Sequence, residues 1–279
     1  MPRIPIDDVI PALVAIADEV ILPRFRALQT GEVEEKSPGE VVTIADREAE
    51  VRIAEVMRAL LPDAVVIGEE AVADDPALLD VLESDATCWL VDPLDGTQNF
   101  VNGSPDFAVM VALVAAGEAV ASWMWRPVER IAYVAERGAG AYRDGERQHV
   151  SVLADVPALA DLSGVVDVPG AVLSRFLTAD QRAKLAEIAP SFGGIGSGSK
   201  CSGVDYPLIV DGFQRFVRYE RLSPWDHAPG TLYLEEAGGC VRRWDGSAYA
   251  PGRPGIGLLA ASDAATWTLV RDALRPALG

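Results

Sequence analysis

The sequence predicts a protein of the α+β / α/β class, with an antiparallel meander sheet in its N-terminal half and a mixed or parallel sheet in its C-terminal half. In residues 106–136, three apolar strand candidates are separated only by short turns, which indicates antiparallel pairing of neighbours. After about residue 153, strand and helix candidates alternate, as is typical of an α/β arrangement. A chain of 279 residues can bury a large core, and we expect two sub-domains, at residues 1–153 and 154–279.

The first elements are two helices joined by a polar segment. Residues 7–29 carry apolar side chains at helical spacing, and Pro23 should kink or end this helix. Residues 30–42 are polar and rich in glycine and proline, which predicts a mobile loop. A second helix should begin near Thr43, because Thr43 and Asp46 match a capping box in which Asp replaces the usual Glu.

The next two predicted strands each end at acidic residues. A short β-branched strand at residues 64–67 runs directly into Glu69 and Glu70, and a buried strand from Trp89 ends at Asp92. The further strand candidates are 106–116, 119–126, 130–136, 163–166, 191–195, 215–219, 239–243 and 257–261, and the further helix candidates are 76–83, 179–188, 201–211, 225–236 and 263–275.

The overall charge excludes some classes of partner. There are 42 acidic residues against 24 basic ones, and the net charge of −18 argues against binding to nucleic acid or to an anionic membrane surface. The cysteines Cys88, Cys201 and Cys240 form no C-x-x-C pair, which favours a reduced cytoplasmic location. The N-terminus does not resemble a signal peptide, and we expect no transmembrane helix.

Residues 89–100 are the most informative stretch of the chain. A short apolar strand leads into Asp92 and Asp95, and the proline between them fixes one backbone angle. Gly96 permits a turn or a close approach to a ligand. Thr97 can cap a short helix, whose free N–H groups attract anions. Carboxylates suited to a cation therefore stand beside amides suited to a phosphate.

The acidic residues should gather around a divalent metal ion. If the strands before Glu69 and Asp92 are parallel neighbours, the carboxylates of Glu69, Asp92 and Asp95 converge, and so many cannot ionise together unaided. The candidate donors are all oxygens, which suits Mg²⁺ or Mn²⁺ better than Zn²⁺. Asp226 lies where a later helix should begin, and the carbonyl of Leu94 can turn toward the same ion.

These residues form an ordered set of motifs that resembles the inositol monophosphatase family. The set spans roughly residues 36 to 261, nearly the whole chain, and it consists of Val-Thr-Ile-Ala-Asp at 42–46, Gly-Glu-Glu at 68–70, Asp-Pro-Leu-Asp-Gly-Thr at 92–97, Trp-Asp at 225–226 and Glu-Glu-Ala-Gly-Gly at 235–239. The resemblance implies a layered αβαβα sandwich, a homodimer, and a Mg²⁺-dependent phosphatase that lithium inhibits and Mn²⁺ can support.

The resemblance also implies roles for single residues. The metal ligands would be Glu69, Asp92, the Leu94 carbonyl, Asp95 and Asp226. Asp46 and Thr97 would help to activate the nucleophilic water, with Glu69 on the same metal. The N–H groups of Gly96 and Thr97 would hold the phosphate, and no covalent phosphoenzyme would form.

The residues expected to bind substrate are only partly family-like. The full set is Asp95, Gly96, Thr97, Ser199, Lys200, Glu220 and Asp226. The spacing from Glu220 to Asp226 is one residue shorter than in the family. Lys200 and Arg221 add positive charge that is unusual for an inositol-specific pocket, and Lys200 could meet a second phosphate or an acidic substituent. Lys36 is expected to be a solvated loop charge.

The leading hypothesis is a metal-dependent phosphomonoesterase acting on a small polyol or sugar phosphate such as inositol 1-phosphate. Histidinol phosphate, 3′-phosphoadenosine 5′-phosphate and fructose 1,6-bisphosphate are the alternative substrates within the same superfamily. A glycosidase using Glu69 and Asp95 is an alternative of another enzyme class. A scaffold that binds a phosphorylated metabolite without turnover is the non-enzymatic alternative.

Overall fold

Alternating apolar side chains give the central strands two buried faces. The computed structural model describes residues 4–37, 39–151, 158–166, 178–253, 255 and 257–278. On the strand Thr87–Asp95, Trp89 and Val91 belong to one hydrophobic core, whereas Cys88 and Leu90 belong to another on the opposite face. Such a sheet must be covered by helices on both sides.

The N-terminal sheet contains seven strands among the described residues. Its spatial order is β3-β4-β5-β6-β7-β8-β9, and only the β3–β4 pair is parallel. The strands are β3 (Val65–Gly68), β4 (Thr87–Asp95), β5 (Ala108–Ala115), β6 (Glu118–Arg126), β7 (Ile131–Glu136), β8 (Gly140–Arg143) and β9 (Glu146–Gln148). The predicted antiparallel meander is thus present, and two short strands, β8 and β9, extend it beyond the three strands that were predicted.

Two helices cover the outer face of this sheet. Helix α1 (Val9–Ile16) continues through a π-helical turn (Ala17–Ile21) into a 3₁₀ turn (Leu22–Arg24), so the regular helix ends near Pro23 as predicted. Helix α2 (Ile44–Leu60) begins with the predicted capping box, in which Thr43 and Asp46 exchange hydrogen bonds. Their buried faces pack on Trp89, Trp123 and the neighbouring side chains.

The other face packs on a helical layer that separates it from a second sheet. Helices α6 (Ser202–Val210) and α7 (Pro224–Glu236) share one core with both sheets. The second sheet has five strands among the described residues, ordered β11-β10-β12-β14-β13, and it mixes parallel with antiparallel pairs. They are β10 (Ser163–Val166), β11 (Gly194–Gly196), β12 (Phe216–Tyr219), β13 (Cys240–Arg243) and β14 (Leu258–Ala261).

Helices α5 (Ala179–Ile188) and α8 (Ala264–Leu278) form the last layer on this sheet. The layers therefore follow the order helix, sheet, helix, sheet, helix, which confirms the αβαβα sandwich. The smaller elements are α3 (Glu69–Asp74), α4 (Thr97–Val101) and 3₁₀ turns at Pro76–Glu83, Leu159–Asp161 and Ala189–Ser191. Among the described residues, no helix has the length and apolar character needed to cross a bilayer.

Three local predictions are wrong. Residues 30–42 are mostly a β-hairpin, formed by β1 (Val33–Ser37) and β2 (Glu40–Thr43), because backbone pairing satisfies this polar segment without an apolar pattern. The strand expected at 191–195 lies at Gly194–Gly196, since a 3₁₀ turn ends at its first residue and a bend occupies the next two. Strand β4 does not stop at Asp92 but continues to Asp95.

Candidate active site

Two parallel strands bring the first carboxylates together. Gly68 at the end of β3 lies opposite Val91 on β4, so Glu69 follows its strand beside Asp92. Parallel neighbours end at the same edge of a sheet. The condition under which the sequence brings these carboxylates together, that the two strands are parallel neighbours, is therefore met.

A β-bulge turns both aspartates of β4 to the same face. Asp92 lies opposite Met110, and Asp95 lies opposite Ala108, so β4 advances three residues where β5 advances two. In a regular strand, residues three apart point to opposite faces. The extra residue cancels this alternation, and Leu94 instead packs into the core on the far side.

The first turn of α7 supplies the third carboxylate. Glu69, Asp92 and Asp226 each offer one oxygen, and these oxygens all lie within 4.8 Å of one another. Burial, followed by the charges of the neighbouring carboxylates, raises the pKa values of Asp92 and Asp226 far above their usual range. Buried acids this close fit a hard divalent cation, whose charge would relieve their repulsion.

Asp95 is held in place by the start of α6. Its Oδ2 accepts hydrogen bonds from the backbone N–H of Gly203, at 2.7 Å, and from the Ser202 hydroxyl, at 2.9 Å. The Ser202 hydroxyl also lies within hydrogen-bond distance of the Asp226 carbonyl. A Cβ at residue 203 would stand 2.6 Å from the Cβ of Ala108, so only glycine fits there. Ser202 and Gly203 therefore join the two acids that α7 and β4 contribute.

A second polar cluster joins Asp46 to Thr97. The Thr97 hydroxyl lies 2.9 Å from Asp46 Oδ1 and 3.0 Å from the Leu94 carbonyl oxygen. Its single proton can be donated to only one of these acceptors at a time. Burial raises the pKa of Asp46 to about 6, although the hydrogen bonds from Thr43 and Thr97 act in the opposite direction.

Gly96 begins the short helix α4 in a conformation that favours glycine. Its φ is +86°, and a Cβ at this position would lie 2.8 Å from the carbonyl oxygen of Asp106. The backbone turns sharply here, from β4 into α4. The helix begins directly after Asp95 as the sequence predicted, but its N-cap is Gly96 and not Thr97, whose hydroxyl bonds Asp46 and Leu94 instead.

Lys36 is not the solvated charge that was expected. Its ammonium lies 3.1 Å from Glu69 Oε1 and also pairs with Glu70. The hairpin β1–β2 carries this lysine to the acidic site, although 33 residues separate Lys36 from Glu69 in sequence.

Glu50 is a functional candidate that sequence reasoning missed. This side chain on α2 is buried, and its two oxygens accept hydrogen bonds from the N–H groups of Glu70, at 2.7 Å, and Ala71, at 2.9 Å. It therefore caps the helix that begins with Glu69. A Cβ at residue 68 would stand 2.2 Å from the Glu50 carboxyl carbon, which explains the glycine before Glu69. An acid at a buried position of α2 was the available signal.

His227 fixes the segment before Asp226. Its Nε2 lies 2.9 Å from the Arg221 carbonyl oxygen, so this nitrogen carries the proton, and Nδ1 accepts from the Tyr206 hydroxyl at 3.1 Å. Burial lowers the pKa of His227 to about 4. The histidine is thus a neutral structural link that joins α7 to α6 and to the segment after β12.

The predicted substrate residues divide into two groups. Gly96, Thr97, Lys200 and Asp226 line one cleft of about 420 Å³, together with Glu69, Asp92 and Asp95. Ser199 instead bonds the backbone of Cys201, and Glu220 pairs with the buried Arg218, and neither lines the cleft. Arg221 lines it but pairs with Glu40 of the hairpin.

Comparisons with known proteins agree with this architecture. A sequence model of the inositol monophosphatase family matches residues 5–274. The inositol-1-monophosphatase of Rhizobium meliloti is 34% identical over 233 residues, covering 82% of this chain and 80% of that protein. A Thermotoga maritima protein named fructose-1,6-bisphosphatase/inositol-1-monophosphatase is 32% identical over 216 residues, covering 76% of this chain and 75% of its own length.

A solved structure extends the comparison to the fold. The crystal structure of the extragenic suppressor protein suhB from Bartonella henselae superposes with a TM-score of 0.79 at 25% identity, covering 96% of this chain and 97% of that one. Since a family model spans nearly the whole chain and relatives exceed 30% identity over most of it, the protein belongs to the inositol monophosphatase family.

Proposed function

We propose that this protein is a Mg²⁺-dependent phosphomonoesterase that hydrolyses a small polyol or sugar phosphate, such as inositol 1-phosphate. The observation that carries the proposal is the triad of Glu69, Asp92 and Asp226, whose carboxylate oxygens lie within 4.8 Å of one another. The relatives named as phosphatases support the same reaction class.

The residues that would hold the metal are Glu69, Asp92, the Leu94 carbonyl, Asp95 and Asp226. When bound, Mg²⁺ would lower the pKa of a water molecule and neutralise charge on the phosphoryl oxygens. The fixed Oδ2 of Asp95 leaves its Oδ1 as the oxygen for this role. We also propose that Mn²⁺ substitutes for Mg²⁺ and that Li⁺ inhibits.

Thr97 and Asp46 would remove a proton from the attacking water, with Glu69 beside them. When the Thr97 hydroxyl donates to Asp46 Oδ1, its oxygen can accept a hydrogen bond from water, and as Thr97 takes the water proton it would pass its own proton to the Asp46 carboxylate. The Asp46 carboxyl has a pKa of about 6, which suits a general base working near neutral pH. The hydrogen bonds from Thr43 hold Asp46 in one orientation.

The N–H groups of Gly96 and Thr97 would bind the phosphate of the substrate. Lys200 and Asp226 would face the leaving alcohol, whereas Ser199 and Glu220, which were also predicted to bind substrate, do not line the cleft. Fructose 1,6-bisphosphate is a second candidate substrate, because the Thermotoga maritima relative carries that activity in its name.

A phosphate-release assay tests the proposed function. The purified protein is offered inositol 1-phosphate, fructose 1,6-bisphosphate, histidinol phosphate and 3′-phosphoadenosine 5′-phosphate, with Mg²⁺ alone, with EDTA, and with Mg²⁺ plus Li⁺. We expect release that requires Mg²⁺ and falls with Li⁺. Tight Mg²⁺ binding without turnover of any ester would instead favour a non-catalytic metabolite-binding protein.

The variant Asp95→Asn tests whether Asp95 is a metal ligand without disturbing the fold. The single amide oxygen of the asparagine can take the place of Asp95 Oδ2 and accept both hydrogen bonds from α6, whereas a charged metal ligand is lost. We therefore expect a folded protein with most of its Mg²⁺-dependent phosphate release removed. Full activity in this variant would contradict the assignment of Asp95 to the metal.

The assembly and location are proposals as well. We propose a homodimer that acts in the cytoplasm on a small-molecule phosphate ester, without nucleic acid or membrane as partner. The three free thiols of Cys88, Cys201 and Cys240 support a reducing compartment. Sub-domains at residues 1–153 and 154–279 remain the proposed division of the chain.

A further inference from the structure

Lys200 differs from the other cationic side chains that line the cleft. Three such side chains, those of Lys36, Lys200 and Arg221, lie on its wall. Lys36 pairs with Glu69 and Glu70, and Arg221 pairs with Glu40. Within the described part of the chain, Lys200 makes no hydrogen bond or ion pair, and it is exposed. It is thus a cation in reach of the cleft whose charge no carboxylate neutralises.

The backbone at Lys200 is held in an unfavourable conformation. Its φ is +63°, in the left-handed region that a lysine rarely adopts. Such a conformation is unfavourable for a residue other than glycine and persists only where the surroundings impose it. Strain of this kind is often associated with a functional position, and here it determines where the lysine side chain leaves the backbone.

Hydrogen bonds on both sides of Lys200 impose this conformation. The Ser199 N–H donates to Asp205 at 3.1 Å, and the Ser199 carbonyl accepts from the Asn99 amide at 2.7 Å. The Ser199 hydroxyl bridges to the backbone of Cys201, at 2.8 Å and 3.1 Å. The turn is therefore anchored to α4, which begins just after Asp95, and to α6, whose first residues bond the Asp95 carboxylate, so Lys200 keeps a fixed place beside the reacting end of the cleft.

The cleft is strongly acidic, so a second anionic group on a substrate would need a cationic partner such as Lys200. Carboxylates crowd its inner end, and the whole protein carries a net charge of −18. Bound metal would offset the carboxylates near the phosphate to be cleaved, but a second anionic group on the leaving alcohol would meet no other unpaired cation on the described wall. A charge-assisted hydrogen bond from lysine supplies that partner.

We propose that Lys200 selects substrates whose leaving alcohol carries a second anionic group, either a phosphate or a carboxylate. The proposal rests on the proposed phosphomonoesterase function and narrows its substrate class from neutral polyol phosphates to doubly anionic phosphate esters. Lys200 binds the second anion directly and determines specificity, while the metal ligands and Thr97 carry out the same reaction on either type of ester.

Two matched substrate pairs test this proposal. Fructose 1,6-bisphosphate is compared with fructose 1-phosphate, and 3-phosphoglycerate with glycerol 3-phosphate, so that each pair differs only in the second anionic group. The measured quantity is the ratio of kcat/KM within each pair, for the wild type and for Lys200→Met and Lys200→Arg. Taking the ratio cancels any general effect of a variant on folding or on metal binding.

We expect the wild type to prefer the doubly anionic member of at least one pair. In K200M this ratio should fall roughly 10-fold, because a charge-assisted hydrogen bond of about 1.5 kcal/mol is lost. K200R keeps the charge and should retain most of the preference. A fall only in the first pair identifies the second group as a phosphate, and a fall only in the second pair identifies it as a carboxylate.

Two results would overturn the proposal. One is an unchanged ratio in both pairs for K200M, and the other is a wild type that prefers the singly anionic esters. If K200M does not fold, Lys200→Asn replaces it, since asparagine tolerates the left-handed conformation while removing the charge. Absence of Mg²⁺-dependent release from these four esters and from inositol 1-phosphate would overturn the proposed function itself, and the proposal on Lys200 with it.

Discussion

The cap that Glu50 places on α3 leads to a prediction about metal affinity. Glu50 has no place in the candidate metal shell, yet its carboxylate fixes the backbone of Glu70 and Ala71, directly after Glu69. We expect the isosteric variant Glu50→Gln to weaken Mg²⁺ binding. The NH₂ group of the glutamine would face one of the two backbone N–H groups that Glu50 now accepts from, so one hydrogen bond is lost and the backbone beside Glu69 is held less firmly.

The expected loss of stability in Glu50→Gln is small. Two charge-assisted hydrogen bonds are worth about 1.5–3 kcal/mol each before the cost of burying the carboxylate. Burial nevertheless raises the pKa of Glu50, so desolvation outweighs the hydrogen bonds to its charged form. The net loss in free energy of unfolding should therefore be only about 1–2 kcal/mol.

Gly68→Ala removes the same cap from the opposite side. The new Cβ would stand 2.2 Å from the Glu50 carboxyl carbon and 2.5 Å from both oxygens, so the carboxyl must leave its site. This variant loses both hydrogen bonds and is also overpacked, and we expect it to lose about 2–4 kcal/mol.

Calorimetric titration with Mg²⁺ and urea unfolding in EDTA measure the two effects separately. The control is Glu55→Gln, the same substitution on an exposed residue of the same helix. We expect Glu55→Gln to match the wild type in both assays, and Glu50→Gln to bind Mg²⁺ about 10-fold more weakly, as outer-shell changes at metal sites typically do. Wild-type Mg²⁺ affinity in Glu50→Gln would refute the reasoning.

Two further predictions concern Thr97 and the acidic cluster. Thr97→Val keeps the shape of the side chain but removes the hydroxyl between Asp46 and Leu94. The kcat should therefore fall roughly 10²–10⁴-fold, while the Mg²⁺ affinity measured by calorimetry stays close to wild type. A wild-type kcat would exclude Thr97 from proton transfer. In EDTA, the pKa of Asp46 is raised from 3.8 to about 6 by burial, and the pKa values of Glu69, Asp92, Asp95 and Asp226 are raised as well. Stability from these groups is therefore greatest below their unfolded pKa values and is lost as the pH rises through the folded values, which are about 6 for Asp46 and about 7 for Glu69. Mg²⁺ should consequently raise Tm more at about pH 8 than at about pH 5.5, relative to K⁺ at equal ionic strength, and an equal shift at both pH values would contradict this account.

Local signals in the sequence predicted the regular elements well. The helix at residues 179–188 and the cap at Thr43 were predicted correctly, because capping and periodicity act within a few residues. The hairpin β1–β2 was missed, because its polar strands lack alternation and are stabilised by pairing with each other. The strand pairing that closes β8 and β9 onto the meander was likewise hidden among turn signals.

The site was predictable only in its chemistry. The order of the acidic motifs along the chain indicated the reaction class. The helix expected to begin near Asp226 is α7, which carries Asp226 in its first turn. The partners that hold these donors were not found, because they come from distant segments. Ser202 and Gly203 reach Asp95 across more than 100 residues, and Glu50 reaches Glu70 across 20.

The sequence by itself thus determined the residue types, the strand–turn–helix context of residues 89–100 and the family. The tertiary structure decided the bulge that turns Asp92 and Asp95 to one face. It also decided the ion pairs of Lys36 with Glu69 and Glu70. Finally, it left Lys200 without an ion-pair partner among the described residues. The physical reason is that strand register and ion pairing depend on which segments meet in space, and no local pattern along the chain specifies that choice.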